Sequence, residues 1–474
     1  MNRREFVAHG IVAGAALAAR AAAAAEPGRG PHPVLTVHAD RPLAAIAPDF
    51  MGLGYEISSV ATPGLLAPAN RVYLQLVRTL GARGIVRIGG NTSDYARFVP
   101  GGPPVSSARG TVIDTAGLQE LGGFLEATGW KLIWGLNLGR GSEADAIATA
   151  GAVLAVAGQQ LLAFEIGNEP DLFGRAQHRQ MDYGYEDWLA EYRRYKQALR
   201  AQYPGIALAG PDAAGKSDWV TRFAADEGRD AVLLTHHYYR EGQNPSSTIE
   251  KLLGVDPKLQ GQLDTLRAAS SSSALPYRIC EVNSFSGGGR PGVSDSMAAA
   301  LWVLDYMYTL ATNGCAGVNM ESGVNHLDFI SSYSPIGDDQ HGHYAAKPEF
   351  YGMLAFALGG KGRLLQTEFP AASPELKAYA TVQERGALAL TLINKGADER
   401  AVRVQIGGRI HDGDASITRL RAAALDAQSG VTLAGAEVSD EGSWRPSHSE
   451  ALRLRGGGLR LTLPGYSAAI CTIG

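Results

Sequence analysis

Two glutamates, Glu169 in Gly167-Asn168-Glu169-Pro170 and Glu281 in Glu281-Val282-Asn283, each stand at the close of a short apolar run. Paired carboxylates can do acid–base and nucleophilic work on a bond held between them: one, protonated, gives its proton to a leaving oxygen, while the other, ionised, attacks the carbon. Glycoside hydrolysis needs such a pair across a cleft. A gap of about 5–5.5 Å permits direct attack with net retention, whereas roughly 6.5–9.5 Å leaves room for water and inverts configuration. A glutamate taken at random is a solvated surface group; position at the end of a strand sets these two apart. Other run ends are also polar: Tyr55-Glu56, Gly89-Gly90-Asn91-Thr92-Ser93-Asp94, Asn137, and His236-His237-Tyr238-Tyr239.

Eight apolar runs position these groups: 50–56, 84–90, 131–137, 161–167, 206–210, 231–237, 277–281 and 315–319. Helical stretches lie between them, such as Tyr185 to Gln202, where Trp188, Leu189, Tyr192, Tyr195 and Leu199 recur at helical spacing. Strand–helix alternation repeated eight times predicts an α/β fold, a (β/α)8 TIM barrel over 46–354, whose active groups come from the C-terminal ends of the strands. The fourth and seventh strands face each other, so Glu169 and Glu281 can straddle one bond. Ser270 to Ser273 reads as a short loop before the seventh strand. After Leu354 the pattern becomes alternating strands and turns, at 376–383, 387–394, 401–406 and 458–473. Val34-Leu-Thr-Val-His38 alternates in the same way, so 33–45 and 355–474 are expected to form one C-terminal all-β sandwich domain that includes the N-terminal strand.

The first residues are not expected to belong to the fold. Asn2-Arg3-Arg4-Glu5-Phe6, the uncharged stretch to Ala19 and the small residues Ala21 to Ala25 resemble a twin-arginine signal peptide over 1–25. This implies a periplasmic or secreted protein with no stable membrane insertion after cleavage. Across 474 residues, 43 Lys and Arg balance 47 Asp and Glu, a net charge of −4. That balance excludes a basic polyanion binder, so no nucleic acid is expected as a partner. Cys280, Cys315 and Cys471 are three scattered cysteines without a CxxC, read as small buried hydrophobes.

Asn168-Glu169-Pro170 resembles the signature of the large retaining clan of barrel glycosidases. The nearest resemblance within it is to glycoside hydrolase family 79, the β-glucuronidase and heparanase family. Five segments carry the likeness in order: Gly89 to Asp94, Gly135-Leu136-Asn137, Phe164 to Pro170, His236 to Tyr239, and Glu281 followed by Gly287-Gly288-Gly289. The resemblance implies Glu169 as acid/base, Glu281 as nucleophile, and Tyr239 as a donor that keeps Glu281 ionised. It implies sugar contacts from Glu56, Asn91, Asp94 and Asn168, with His237 also a substrate contact; for Asp94, capping the following helix is the alternative. A glucuronide carboxylate would meet the amides of Gly287 and Gly288, since consecutive glycines let backbone N–H groups converge on an anion. Where the family would place a tyrosine before the glycines this chain has Ser286, and Tyr333 is the replacement candidate ahead of Arg290 and Lys347.

The substrate is therefore expected to be a β-glucuronide-containing glycan or small glucuronide, cut by a retaining exo-β-glucuronidase without a cofactor. His326, His341 and His343 lack an acidic partner at ligand spacing, so no metal is expected. The alternatives are an endo-β-glucuronidase cleaving heparan sulfate, an arabinofuranosidase, and a non-catalytic sugar-binding barrel. The presence of both glutamates argues against the last.

Overall fold

The computed structural model describes residues 32–474 apart from 328, 385 and 409–411. The leader expected over 1–25 lies outside the described residues. Eight parallel strands close into a barrel in chain order: Gly52–Glu56, Ile85–Gly89, Lys131–Leu136, Leu161–Ile166, Leu208–Ala213, Leu233–Tyr239, Tyr277–Asn283 and Val318–Glu321. All eight apolar runs are strands of this barrel. Two of them run past the expected end to a carboxylate that the runs left out. The fifth apolar run stops at Gly210, yet the strand continues through Pro211, which stands opposite Thr235, and carries Asp212 into the barrel. The eighth starts at Val318 and ends on Glu321.

The helix Tyr185–Gln202 has the expected bounds, and its aromatic stripe is buried against the next helix, Ser217–Glu227. There the Trp188 ring lies 5.6 Å from that of Trp219. Ser270 to Ser273 is not a loop: it is the last turn of the helix Pro257–Ser273. Hydroxyls of Ser272 and Ser273 donate back to the Ala269 carbonyl, local bonding that lets serines sit in a helix end they would otherwise weaken.

The floor of the barrel is closed by Arg278, which is 1% exposed. Its guanidinium donates to Asn319 Oδ1 at 2.6 Å and to the carbonyls of Asp49, Phe50 and Val318. Gly317 is required beside it, because a Cβ there would fall 1.9 Å from Nη1.

The C-terminal β-region is one ten-stranded sheet that curls over its own core of Leu35, Val37, Leu390, Leu392, Val402, Val404 and Leu461. The sandwich is thus a single continuous sheet. Strand Val34–Ala45 runs inside it, antiparallel to Arg363–Glu368 and parallel to Arg400–Gly407. The stretch 458–473 is two strands, Gly458–Leu463 and Ser467–Ile473, separated by Pro464-Gly465-Tyr466. The sheet is fastened to the barrel helix Met297–Thr312 by a Tyr308–Tyr379 stack with centroids 4.5 Å apart and by the Lys395–Asp305 ion pair at 2.7 Å.

Candidate active site

A fully buried charge organises the mouth of the barrel. Arg87, in the second strand, has no exposed surface and reaches groups carried by the fourth, fifth and seventh strands. Its Nε donates to Glu165 at 3.1 Å, Nη1 to Glu281 Oε2 at 2.8 Å, and Nη2 to Asn168 Oδ1 at 2.9 Å and Asp212 Oδ2 at 2.5 Å. Burial disfavours the cation, but the charges of Asp212, Glu165 and Glu281 prevail and hold its pKa well above the usual value. Gly89 makes room for this packing, since a Cβ there would meet the guanidinium carbon at 2.3 Å.

Glu281 Oε1 accepts from the Tyr239 hydroxyl at 3.0 Å while Arg87 holds Oε2. Both oxygens therefore accept hydrogen bonds, the pattern that suits an ionised nucleophile. Glu169 sits opposite, at the entrance to the short 3-10 turn Pro170–Leu172, with φ at +51°. A glutamate in the left-handed region is held there against its own preference. The restraint is visible: its N–H donates to the Asp212 carbonyl at 3.0 Å, and Leu172 N–H returns to the Glu169 carbonyl at 2.8 Å.

His237 joins the two sides. Its Nε2 lies 2.7 Å from Asp212 Oδ1 and its Nδ1 3.0 Å from Glu169 Oε1, with Glu281 Oε2 at 3.8 Å from the same nitrogen. Burial opposes its charge, but Asp212, Glu281 and the hydrogen bonds to Asp212 and Glu169 raise its pKa well above the usual histidine range. Asp212 is correspondingly held below the carboxylate range, with Arg87 and His237 overcoming burial. The Glu169 carboxyl is raised, mainly by burial and further by the Glu281 charge, with the His237 hydrogen bond acting the other way. One oxygen each from Glu169 and Glu281 and a nitrogen of His237 all lie within 4.8 Å of one another. A metal ion could span that distance, as it could the buried set Glu165, Asp212 and Cys280. In both sets hydrogen bonds and ion pairs from Arg87 already occupy carboxylate oxygens.

Above the pair opens a cavity of about 820 Å³, lined by Glu56, Asn91, Glu169, Tyr239, Glu281, Gly287, Gly288, Glu321, His326 and Tyr333 among others. The expected contacts Glu56, Asn91, Tyr239, Gly287, Gly288 and Tyr333 thus line one cavity with the two catalytic candidates. Asp94, Asn168 and His237 do not line it. Asp94 is 2% exposed and neither reaches the cavity nor caps a helix: it accepts the N–H groups of Leu138, Gly139 and Asn168. Asn168 is tied up by Arg87, and His237 by Asp212 and Glu169. Gly287, Gly288 and Gly289 have φ of +80°, +88° and +79°, a run open to glycine alone. The Gly288 carbonyl accepts the N–H groups of Ser332 and Tyr333, which fixes the Tyr333 loop above the glycines. Arg290 and Lys347 do not line the cavity.

Sequence reasoning missed Arg87, Glu165, Asp212 and Glu321. A sign was available for the first two: an arginine in Ile85-Val86-Arg87-Ile88 and a glutamate in Ala163-Phe164-Glu165-Ile166 interrupt runs otherwise apolar on both faces, and buried charges need partners on neighbouring strands.

No protein-family model matches the chain. A curated β-glucuronidase of Aspergillus niger is 26% identical over 447 residues, covering 82% of this chain and 80% of that protein. Another, of Neurospora crassa, is 26% identical over 331 residues, covering 60% of this chain and 57% of that protein. Among solved structures, a 4-O-α-L-rhamnosyl-β-D-glucuronidase from Fusarium oxysporum matches with TM-score 0.76 and 19% identity, over 92% of this chain and all of that one. An α-L-arabinofuranosidase from Thermotoga maritima matches with TM-score 0.69 and 13% identity, over 93% and 99%. The fold is therefore that of barrel glycosidases carrying a β-domain, and the curated relatives and the carboxylate pair together support glycoside hydrolysis as the chemistry of this cavity.

Proposed function

We propose that the protein is a retaining exo-β-glucuronidase that acts outside the cytoplasm on terminal β-glucuronic acid of a glycan or small glucuronide. The observation that carries the reading is the carboxylate pair, whose nearest oxygens are within 4.8 Å, with one partner bonded as an anion and the other raised toward its protonated form. That closeness supports direct attack, being nearer the short separation of a retaining pair than the roughly 6.5–9.5 Å of an inverting one. Glu169 gives its proton to the leaving oxygen while Glu281 bonds to the anomeric carbon. His237 donates to Glu169 Oε1, so the proton to be transferred sits on the other oxygen. Water then enters on the leaving-group side, gives its proton back to Glu169, and displaces Glu281 with a second inversion.

Uronate selectivity is assigned to the glycine run and Tyr333, a reading supported by the amides of Gly287, Gly288 and Gly289: among the described residues none of them donates a hydrogen bond. The curated relatives of the same named activity support the glucuronide in particular. Among the described residues no helix is long and apolar enough to cross a membrane. Endo-cleavage of an acidic polymer is the second reading, favoured by Arg175 and Lys258 at the cavity mouth.

The test is hydrolysis of 4-nitrophenyl β-glucuronide beside the glucoside, galactoside and arabinofuranoside, with NMR of the first-formed anomer. Glucuronide preference and initial β-product are expected, and Glu281→Gln should lower kcat by about 10⁴-fold or more while still binding sugar. A neutral-sugar preference would overturn the uronate assignment, and an α-product would overturn retention.

A further inference from the structure

Strand eight ends on a carboxylate for which the double-displacement chemistry has no use. Glu321 is 3% exposed, lines the cavity, and neither of its oxygens accepts a hydrogen bond from any described residue. A buried acceptor with no donor is costly, and more so when charged, so a pair of them aimed into a cavity calls for donors from outside the protein. The backbone is arranged to keep the carboxylate there: Gly54, opposite it on strand one, has no side chain where a Cβ would meet Glu321 Oε2 at 2.7 Å.

The charges facing Glu321 come from every side of this corner. His326, on the loop after strand eight, places Nε2 3.7 Å from Oε1 and bonds Ser331 through Nδ1. Burial opposes its protonation, but Glu321, Glu56 and Glu281 together raise its pKa. Glu56, from strand one, is pushed up to about 7 by burial and by Glu321 itself. Its oxygens are already taken by Thr92 and the Asn91 N–H. Tyr239 and Tyr333 complete the surroundings. Of the carboxylates at this end of the cavity, Glu321 alone has neither oxygen in a hydrogen bond among the described residues, its nearest cation being His326 at 3.7 Å.

Its position in the barrel says which part of a sugar it would meet. Strand eight lies between strand seven, with the nucleophile, and strand one, on the opposite side from Glu169 and the leaving group. A pyranose with its anomeric carbon at Glu281 and its exit bond toward Glu169 turns its far carbons, 3 and 4, toward strands eight and one. We infer that Glu321 is a specificity-determining substrate contact, accepting hydrogen bonds from the free hydroxyls at carbons 3 and 4 of the bound uronate and so requiring an unsubstituted sugar end. The inference rests on the proposed reading of the cavity as the sugar site. It adds a demand that the glycine run does not make.

The experiment compares 4-nitrophenyl β-glucuronide with its 3-deoxy, 4-deoxy and 4-O-methyl forms on wild type, Glu321→Gln and Gly54→Ala. Wild-type kcat/KM should fall about 10²-fold when a contacted hydroxyl is removed or methylated, as for a hydrogen bond to a charged group. Glu321→Gln should lose a similar factor on the parent glucuronide, mostly in KM, and then be nearly indifferent to the deoxygenation. Gly54→Ala, which crowds the carboxylate without removing it, should move part of the way. Equal wild-type turnover of parent, deoxy and methylated substrates would overturn the inference, as would a Glu321→Gln variant that keeps the wild-type penalty for a missing hydroxyl. If Glu321→Gln does not fold, the wild-type substrate series and Gly54→Ala decide alone. A wild type selective for a neutral glycoside would sink the uronate reading only, and the same deoxy series on that sugar would still test Glu321.

Discussion

The barrel buries two arginines completely, and they behave in opposite ways. Arg87 near the mouth is surrounded by Glu165, Asp212 and Glu281, and its cation is favoured. Arg278 in the floor donates to three backbone carbonyls and an asparagine, and burial lowers its pKa, with more distant negative groups opposing only in part. Backbone carbonyls satisfy the donors of a guanidinium without offering a counter-charge, which is enough to plug a barrel. Three carboxylates around one guanidinium do something else: they fix charge at defined oxygens, one of which is the nucleophile's. The floor arginine is thus a packing device and the mouth arginine an electrostatic one, although both stand in the middle of apolar strands.

Replacing each by lysine is the sharpest way to break this contrast. Lysine keeps the charge but loses the planar fork of donors that serves several partners at once. Arg87→Lys is expected to lower kcat on the preferred glycoside by about 10³-fold, since it leaves Glu281 misplaced, and to destabilise the fold by roughly 3–5 kcal/mol, the usual cost of opening a buried ion pair. Arg278→Lys should cost stability, about 1–3 kcal/mol for each carbonyl left unsatisfied, and leave kcat per folded molecule unchanged. Urea unfolding paired with active-site titration separates the two quantities. An Arg278 variant with kcat reduced as far as the Arg87 variant would erase the distinction.

The same contrast explains what could be read in advance. The barrel was legible because eight apolar runs alternate with amphipathic helices, and Glu169 and Glu281 because they end two of those runs. Arg87 lay inside a run, where an isolated charge carries no hint of its partners, which sit 78, 125 and 194 residues further along the chain. Asp212 and Glu321 were lost to boundaries: Gly210-Pro211 reads as a strand end, and the eighth run was closed at Asn319, two residues before the carboxylate. Asp94 differs again. The resemblance implied a sugar contact, with a helix cap as the alternative, and only the closed barrel brings the loop of strand three and the Asn168 N–H onto it.

His237 offers an intermediate perturbation, because it extends the Arg87 charge network to Glu169. His237→Gln removes a cation that holds the Glu169 carboxyl down. The alkaline limb of the kcat profile reports loss of the acid's proton, so it should move to higher pH, with kcat at the optimum lower by about 10–10²-fold. A limb that stays in place would mean that His237 positions Glu169 without influencing its proton.

The smallest effect is expected one layer further out, at Asp94, and it tests how far the mouth's electrostatic character extends. Burial pushes the Asp94 carboxyl up to about 7, against the three N–H groups it accepts. Its unfolded value is about 3.9, so the folded state holds this proton more tightly and the associated stability is whole below about pH 4 and is lost as pH rises toward 7. Glu56 and Glu165, each also pushed up to about 7, add slopes of the same sign. Asp94→Asn cannot ionise, so its unfolding free energy should fall less steeply than wild type between about pH 4 and 7, and the two curves should run parallel above that range. The amide can still accept from Leu138 and Gly139 through its oxygen, but its nitrogen then faces the Asn168 N–H and that bond is lost. Because Asn168 is also held by Arg87, the displacement is small and kcat should drop only severalfold. A slope identical to wild type would place the pH-sensitive burial in the other raised carboxyls, Glu56, Glu165, Glu169 and Glu349, and take Asp94 out of it.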